Sequence, residues 1–179
     1  MPQEVWEAAL DTIATGCGLP ALYNEEEYLH SLREAHLGIK DEDLSWHNGG
    51  GCTETMIHGR SNVGSLDGGI NLPLILVQTL DEHLATVESF DEMVAAYKDD
   101  VACAVRKLAH NVSTNQEVKA EIRPQPMRSL LIDDCIDNGR GFNAGGARYN
   151  WSVINVGGLA NVIDSLAAVR EVVFDKKEK

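Results

Sequence analysis

The chain contains no long hydrophobic run. The longest apolar stretch, Ile70 to Val77, is interrupted by Asn71 and Pro73 and falls far short of the roughly 18 residues that suggest a membrane span. The start, Met1-Pro2-Gln3-Glu4, has no basic stretch followed by an apolar one, so it does not read as a secretory signal. Cysteine is sparse and scattered. The four stand at 17, 52, 103 and 135, and none is paired as Cys-x-x-Cys, which leaves zinc-finger and thioredoxin-like readings without support. Without a signal segment, a reduced, cytoplasmic protein is expected. Positive charge is short as well. Fifteen Lys and Arg stand against 28 Asp and Glu, a formal charge of −13. That balance repels phosphate backbones and anionic lipid, so neither nucleic acid nor a membrane is an expected partner. The glycine-rich stretch is not followed by Lys-Ser/Thr, which excludes a phosphate-binding loop of that type. No metal-ligand spacing occurs, and no metal or bound cofactor is expected of this chain.

What is present suffices for a folded unit. The 179 residues are 44% hydrophobic and 24% charged, close to the globular average and enough to bury a core without disulfides. Helical periodicity covers Glu4 to Ala14, stopping at Gly16 and Gly18. Leu19 to Tyr23 reads as a buried strand or an extended lead-in. Glu25 to His36 is a second helix, with Asn24 as its cap and three glutamates in its first turn. One more turn fits Asp41 to Leu44, and His47 to Cys52 reads as loop. Ile70 to Leu84 is an apolar helix with Pro73 in its first turn. Ser89 and Glu92 form a capping box for a helix reaching about His110. Arg123-Pro124-Gln125-Pro126 is a break. A helix over Met127 to Ile136, a loop over Gly141 to Gly146, a strand over Asn150 to Val156 and a helix over Gly157 to Phe174 complete the chain. The strands are few and too far apart for hairpins, so a helix-rich α/β arrangement is expected.

Chemistry is concentrated near Cys52-Thr53-Glu54. In an extended chain a thiol and a carboxylate two positions apart project to the same side. Seven of the 16 glycines lie between Gly49 and Gly69, so the backbone there is closely approached or strained. A thiol can serve as nucleophile, metal ligand or one-electron centre, and a carboxylate beside it can act as base. On spacing alone, an inert buried cysteine beside a solvated glutamate fits as well. His47 and His58 flank the pair and are candidates for the same pocket, although a structural or exposed role suits each. Asp67, in Leu66-Asp67-Gly68-Gly69, is a candidate pocket residue or a plain turn residue. Cys17, Cys103 and Cys135 have apolar neighbours and read as packing residues.

Several ordered stretches resemble the cysteine-loop region of glycyl radical enzymes, the pyruvate formate-lyase-like family. They are Gly18-Leu19-Pro20-Ala21-Leu22-Tyr23-Asn24-Glu25, Gly49-Gly50-Gly51-Cys52-Thr53-Glu54 and Asn71-Leu72-Pro73-Leu74-Ile75-Leu76. Arg123-Pro124-Gln125-Pro126, Gly145-Gly146-Ala147-Arg148-Tyr149-Asn150 and the run from Gly157 to Val169 follow in the same order. The resemblance implies part of a ten-stranded α/β barrel, a single partial domain over 1–179. The cysteine loop would span about 47–69 and a strand-helix unit about 149–174. It implies that Cys52 becomes a thiyl radical that abstracts hydrogen from a small-molecule substrate. Glu54 would take a proton from a substrate hydroxyl, as in the dehydratase and eliminase branch. Pyruvate formate-lyase carries two adjacent cysteines, and Gly51 stands where the first would be, which argues against acyl transfer of the formate C-acetyltransferase type.

The family stores its radical on a glycine in an Arg-Val-x-Gly sequence, installed by an activating enzyme that uses S-adenosylmethionine and an iron–sulfur cluster. These 179 residues contain no Arg-Val dipeptide. The expectation is therefore a fragment that carries the catalytic cysteine, is inactive alone, and needs the remainder of the barrel or self-association to cover its open faces. A non-catalytic remnant or binding module is the alternative. An unrelated thiol hydrolase using Cys52 and His58 is a third.

Overall fold

The structure is a computed structural model and describes residues 2–51, 54–63 and 66–176. Cys52 lies outside the described residues. Contacts divide the chain into two compact units, Met1–Ser45 and Trp46–Lys179.

The first unit is built from α1 (Gln3–Ala14) and α2 (Glu25–Glu34). The Asn24 side chain accepts from the Glu26 and Glu27 N–H groups at 3.1 and 3.3 Å, so the expected cap is in place. Glu25, Glu26 and Glu27 occupy the positive end of the α2 dipole. Residues 19–23 form no strand, and Leu19, Leu22 and Tyr23 are exposed, so of the two readings only the non-regular lead-in survives. Cys17, between two glycines past the end of α1, is exposed rather than packed. A 3-10 turn, Asp41–Trp46, follows.

The second unit opens with a hairpin. Strand β1 (His47–Gly50) pairs antiparallel with β2 (Glu54–Ile57), from His47 opposite Ile57 to Gly50 opposite Glu54. This corrects two expectations, a plain loop at 47–52 and the absence of hairpins. Glycine's low strand propensity concealed β1, yet glycine is also what a tight hairpin turn requires. Strand β3 (Gly68–Asn71) then runs into α3 (Leu72–His83), α4 (Phe90–Ile122) and α5 (Pro126–Leu131). Strand β4 (Ile154–Gly157) returns parallel to β3, with Gly68 opposite Ile154 and Asn71 opposite Gly157. Helix α6 (Leu159–Val169) and a π-helical stretch, Arg170–Asp175, complete the described chain. The expected helix-rich α/β arrangement stands.

Caps explain several of these boundaries. Asn71 ends β3 and its side chain accepts from the Leu74 N–H at 3.0 Å, so α3 begins two residues later than the apolar run suggested. At α4 the Ser89 hydroxyl accepts from the Glu92 N–H, while the Glu92 carboxylate returns to the Glu88 N–H at 2.8 Å. That is a capping box displaced by one residue on its return side. Helix α4 runs 33 residues, well past His110, because no Gly or Pro intervenes before Pro124. Helix α5 is shorter than expected. Ile132 is extended, the Asp133 N–H is taken by the Gly59 carbonyl at 2.7 Å, and Asp134 adopts φ +73°. A partner 74 positions away in sequence thus ends the helix.

The core joins α3, α4 and α6 through Leu72, Leu76, Tyr97 and Val162, with Ile70, Ile75, Leu80, Val101 and Leu166 packed around them. Gly158 caps α6 at φ +81°, and a β-carbon there would run into the Pro73 ring. The starts of α3 and α6 are thereby held side by side above the ends of the parallel pair. The Tyr97 hydroxyl donates to the Leu72 carbonyl at 3.3 Å, and burial pushes its phenol above the ordinary value near 10. The folded state therefore favours the neutral phenol. Its contribution is complete below the unfolded pKa and is lost as pH rises through the folded one. Urea titrations on either side of roughly pH 10 should show an alkaline loss of stability that Tyr97→Phe reduces.

Candidate active site

Cross-strand partners share a face of the hairpin. Glu54 therefore shares a face with Gly50, Asn48 and Met56, and His47 shares the opposite one with Ile57, Gly49 and Thr55. His47 is also three register steps from the turn, roughly 10 Å along the strands at ~3.3 Å per residue. His58 follows β2 at that same far end. It is exposed, and its N–H donates to the Trp46 carbonyl at 2.8 Å. The hairpin thus places Glu54 at the end nearest Gly51, two positions after Cys52 in the sequence, and leaves both histidines at the other end.

Glu54 is the polar group of this hairpin that asks for a ligand. Its Oε2 is buried and has no hydrogen-bond partner among the described residues. A buried acceptor without a donor costs about 1–3 kcal/mol, so such atoms are commonly reserved for a ligand or water. The carboxylate folds back over Gly51, which adopts φ +51°. A β-carbon on Gly51 would lie 2.5 Å from Oε2 and 2.8 Å from Oε1.

Asp67 lies elsewhere. Its Oδ2 accepts from the Val153 N–H at 3.1 Å, its own N–H donates to the Val153 carbonyl at 2.9 Å, and Lys119 stands 3.5 Å from Oδ1. Asn62 acts likewise nearer the bridge, its Oδ1 accepting from the Trp151 N–H at 3.0 Å. Side chains thus continue the β3–β4 pairing backward as far as the Ser61–Tyr149 bridge. This is why only 154–157 of the expected 150–156 strand is regular. Asp67→Ala should cost roughly 1.5–3 kcal/mol in urea unfolding, while Asp67→Asn, which keeps an acceptor, should recover most of it.

Asp67 also borders an open cleft of about 1030 Å³ lined by Lys119, Arg123, Arg128, Arg140 and Trp151 among others. Glu54, His47 and His58 do not line it. Composition and periodicity miss these cations, since they read Arg123-Pro124-Gln125-Pro126 as a break, and the family resemblance gives the stretch no role. The Gly145 to Asn150 stretch is structural. Arg148 grips Asp134 through two hydrogen bonds of 2.8 and 2.9 Å, and Tyr149 is buried and stacked on Trp151. Among the described residues no group of three or more His, Cys, Asp or Glu is placed to hold a metal ion. No helix there is long and apolar enough to cross a membrane.

A helix-rich α/β fold with Glu54 at the end of a hairpin, two positions after Cys52 in the sequence, defines a class, and the comparisons with known proteins give its family. The chain belongs to the pyruvate formate lyase-like family of glycyl radical enzymes, whose model matches residues 1–179. It is 31% identical to trans-4-hydroxy-L-proline dehydratase of Clostridioides difficile over 99% of this chain and 24% of that protein. The glycerol-bound form of the B12-independent glycerol dehydratase from Clostridium butyricum superposes with a TM-score of 0.83 at 29% identity, covering 100% of this chain and 24% of that one. A Roseburia inulinivorans structure described for 1,2-propanediol dehydration gives 0.82 at 26%, over 99% of this chain and 24% of that one. The chain spans about a quarter of the length of the relatives it matches. Several of the relatives it matches are dehydratases, and like the sequence reading this sets it nearer to them than to pyruvate formate-lyase itself.

Proposed function

We propose that this chain is the cysteine-loop segment of a glycyl radical dehydratase or related lyase acting on a small hydroxylated substrate. Cys52 accepts the hydrogen atom and Glu54 is the base. The observation that carries the reading is the buried Glu54 Oε2, without a hydrogen-bond partner among the described residues and two positions from Cys52 in the sequence. It is an acceptor waiting for a donor, and a substrate hydroxyl supplies one.

The radical glycine and its S-adenosylmethionine/iron–sulfur activating enzyme lie outside these 179 residues, and what they provide is the initial removal of a hydrogen atom from Cys52. The thiyl radical at Sγ then abstracts a hydrogen atom from the carbon bearing the hydroxyl, forming an S–H bond and a hydroxyalkyl radical. That radical is a much stronger acid than the parent alcohol. Glu54 takes its hydroxyl proton, and the neighbouring C–X bond breaks with its electron pair leaving on X. The proton on Glu54 follows X, which departs as water when X is hydroxyl. The carbonyl-bearing carbon radical recovers a hydrogen atom from Cys52 and restores the thiyl radical. The sum is substrate converted to a carbonyl compound and HX, with no net oxidation.

His47 and His58, at the far end of the hairpin, remain candidates only for the outer part of a substrate pocket completed by other segments. A formate C-acetyltransferase-like reaction lacks its second thiol at Gly51. The test is anaerobic incubation of the chain, completed by the remaining barrel segments and a radical-bearing glycine domain, with propane-1,2-diol or glycerol, whose neighbouring hydroxyls supply both the acidic proton and the leaving group. Dehydrated product supports the reading. Unchanged substrate in every case, with the radical intact, leaves the non-catalytic role.

The same reading expects further protein over the exposed apolar side chains. Leu74 and Val77 on α3, Ile163 on α6, and Leu130 and Leu131 on α5 all face outward. The isolated chain should self-associate or bind an apolar dye. A monomer in sedimentation velocity with no dye binding would count against it.

A further inference from the structure

We propose that Gly51 is a positioning residue that selects the chemistry of this loop, because the Glu54 carboxylate occupies the space where a side chain at 51 would begin. The inference rests on Glu54 being the base. Two independent features meet at Gly51. Its φ of +51° is one that L-residues other than Asn and Asp seldom adopt. Separately, a β-carbon would lie 2.5 Å from Oε2, 2.8 Å from Oε1 and 2.9 Å from Cδ of Glu54, all closer than van der Waals contact permits. The obstacle is the end of a side chain, so the carboxylate is the group that yields. A substitution at 51 therefore acts by moving the base rather than by unfolding the hairpin. Gly50 faces Glu54 across the ladder, so no cross-strand side chain steers the carboxylate back. The loop can hold a base at 54 or a second side chain at 51. A second thiol installed by Gly51→Cys would displace the base before it could carry an acyl group.

The test compares Gly51→Ala and Gly51→Asn in the full chain. With 13C-labelled glutamate, the Glu54 carboxylate resonance is identified by its loss in Glu54→Gln. It is expected to move, in both Gly51 variants, toward the position of the exposed glutamates. An unmoved resonance would overturn the proposal whatever the enzyme does. If backbone strain were the cause, Asn would be much milder than Ala, and that result too would overturn it. In the reconstituted reaction, Gly51→Ala should lower product formation by about 10²-fold while Cys52-dependent hydrogen exchange into substrate continues. The double variant Gly51→Ala with Glu54→Asp, whose carboxylate is shorter by one methylene, should regain some of that loss. A moved resonance with full turnover in Glu54→Gln would leave the steric coupling standing and refute the base assignment instead.

Discussion

Cys52→Ser is expected to abolish turnover and hydrogen exchange together. The O–H bond of serine is far stronger than the S–H bond of cysteine, so an oxygen at this position cannot be converted to a radical by a source matched to a thiol. No other thiol replaces it. Cys135 is buried, with its pKa pushed up by burial and by the neighbouring Asp134 charge, and Cys17 and Cys103 lie outside the hairpin. The loss should therefore be complete. Residual turnover in Cys52→Ser, measured anaerobically against the same radical source, would remove Cys52 from the mechanism. Radical persistence by electron paramagnetic resonance distinguishes a blocked transfer from a destroyed radical.

Glu54→Gln is expected to give the next largest effect, a fall in kcat of roughly 10²–10⁴-fold, the range over which a positioned base contributes. The amide fills the same space beside Gly51, so the hairpin should keep its shape and its stability. It can still meet a substrate hydroxyl, but it cannot take the proton. KM should change much less than kcat, because the lost interaction belongs to the step after hydrogen abstraction. A variant that lost binding and left kcat alone would assign Glu54 to substrate positioning.

Much of this was legible in the residues. Asn24, Ser89 and Pro73 announced helix starts because caps are local. Asn71 went unrecognised because it reads equally as the last residue of a strand. The end of α5 was illegible, since it depends on the Gly59 carbonyl. The β1–β2 hairpin was hidden by glycines whose value is steric, and only the register shows that Glu54 and His47 point to opposite faces. Asp67 reads as a turn residue and Asn62 carries no signal, but the two complete a parallel pairing with a segment about 90 positions away. The Cys52–Glu54 pair was weak on spacing and gained weight from the ordered motifs around it. The buried Oε2 adds a physical reason that the sequence does not contain.

The most direct test is isotope exchange by Glu54→Gln in D2O. A hydrogen atom abstracted by Cys52 becomes an exchangeable S–H, so its return carries deuterium into the substrate. With Glu54→Gln, propane-1,2-diol or glycerol should be recovered deuterated at a carbon bearing the hydroxyl that is deprotonated, with little product. Normal product formation, or recovery of substrate free of deuterium while wild type exchanges it, would contradict the assignment of abstraction to Cys52 and deprotonation to Glu54.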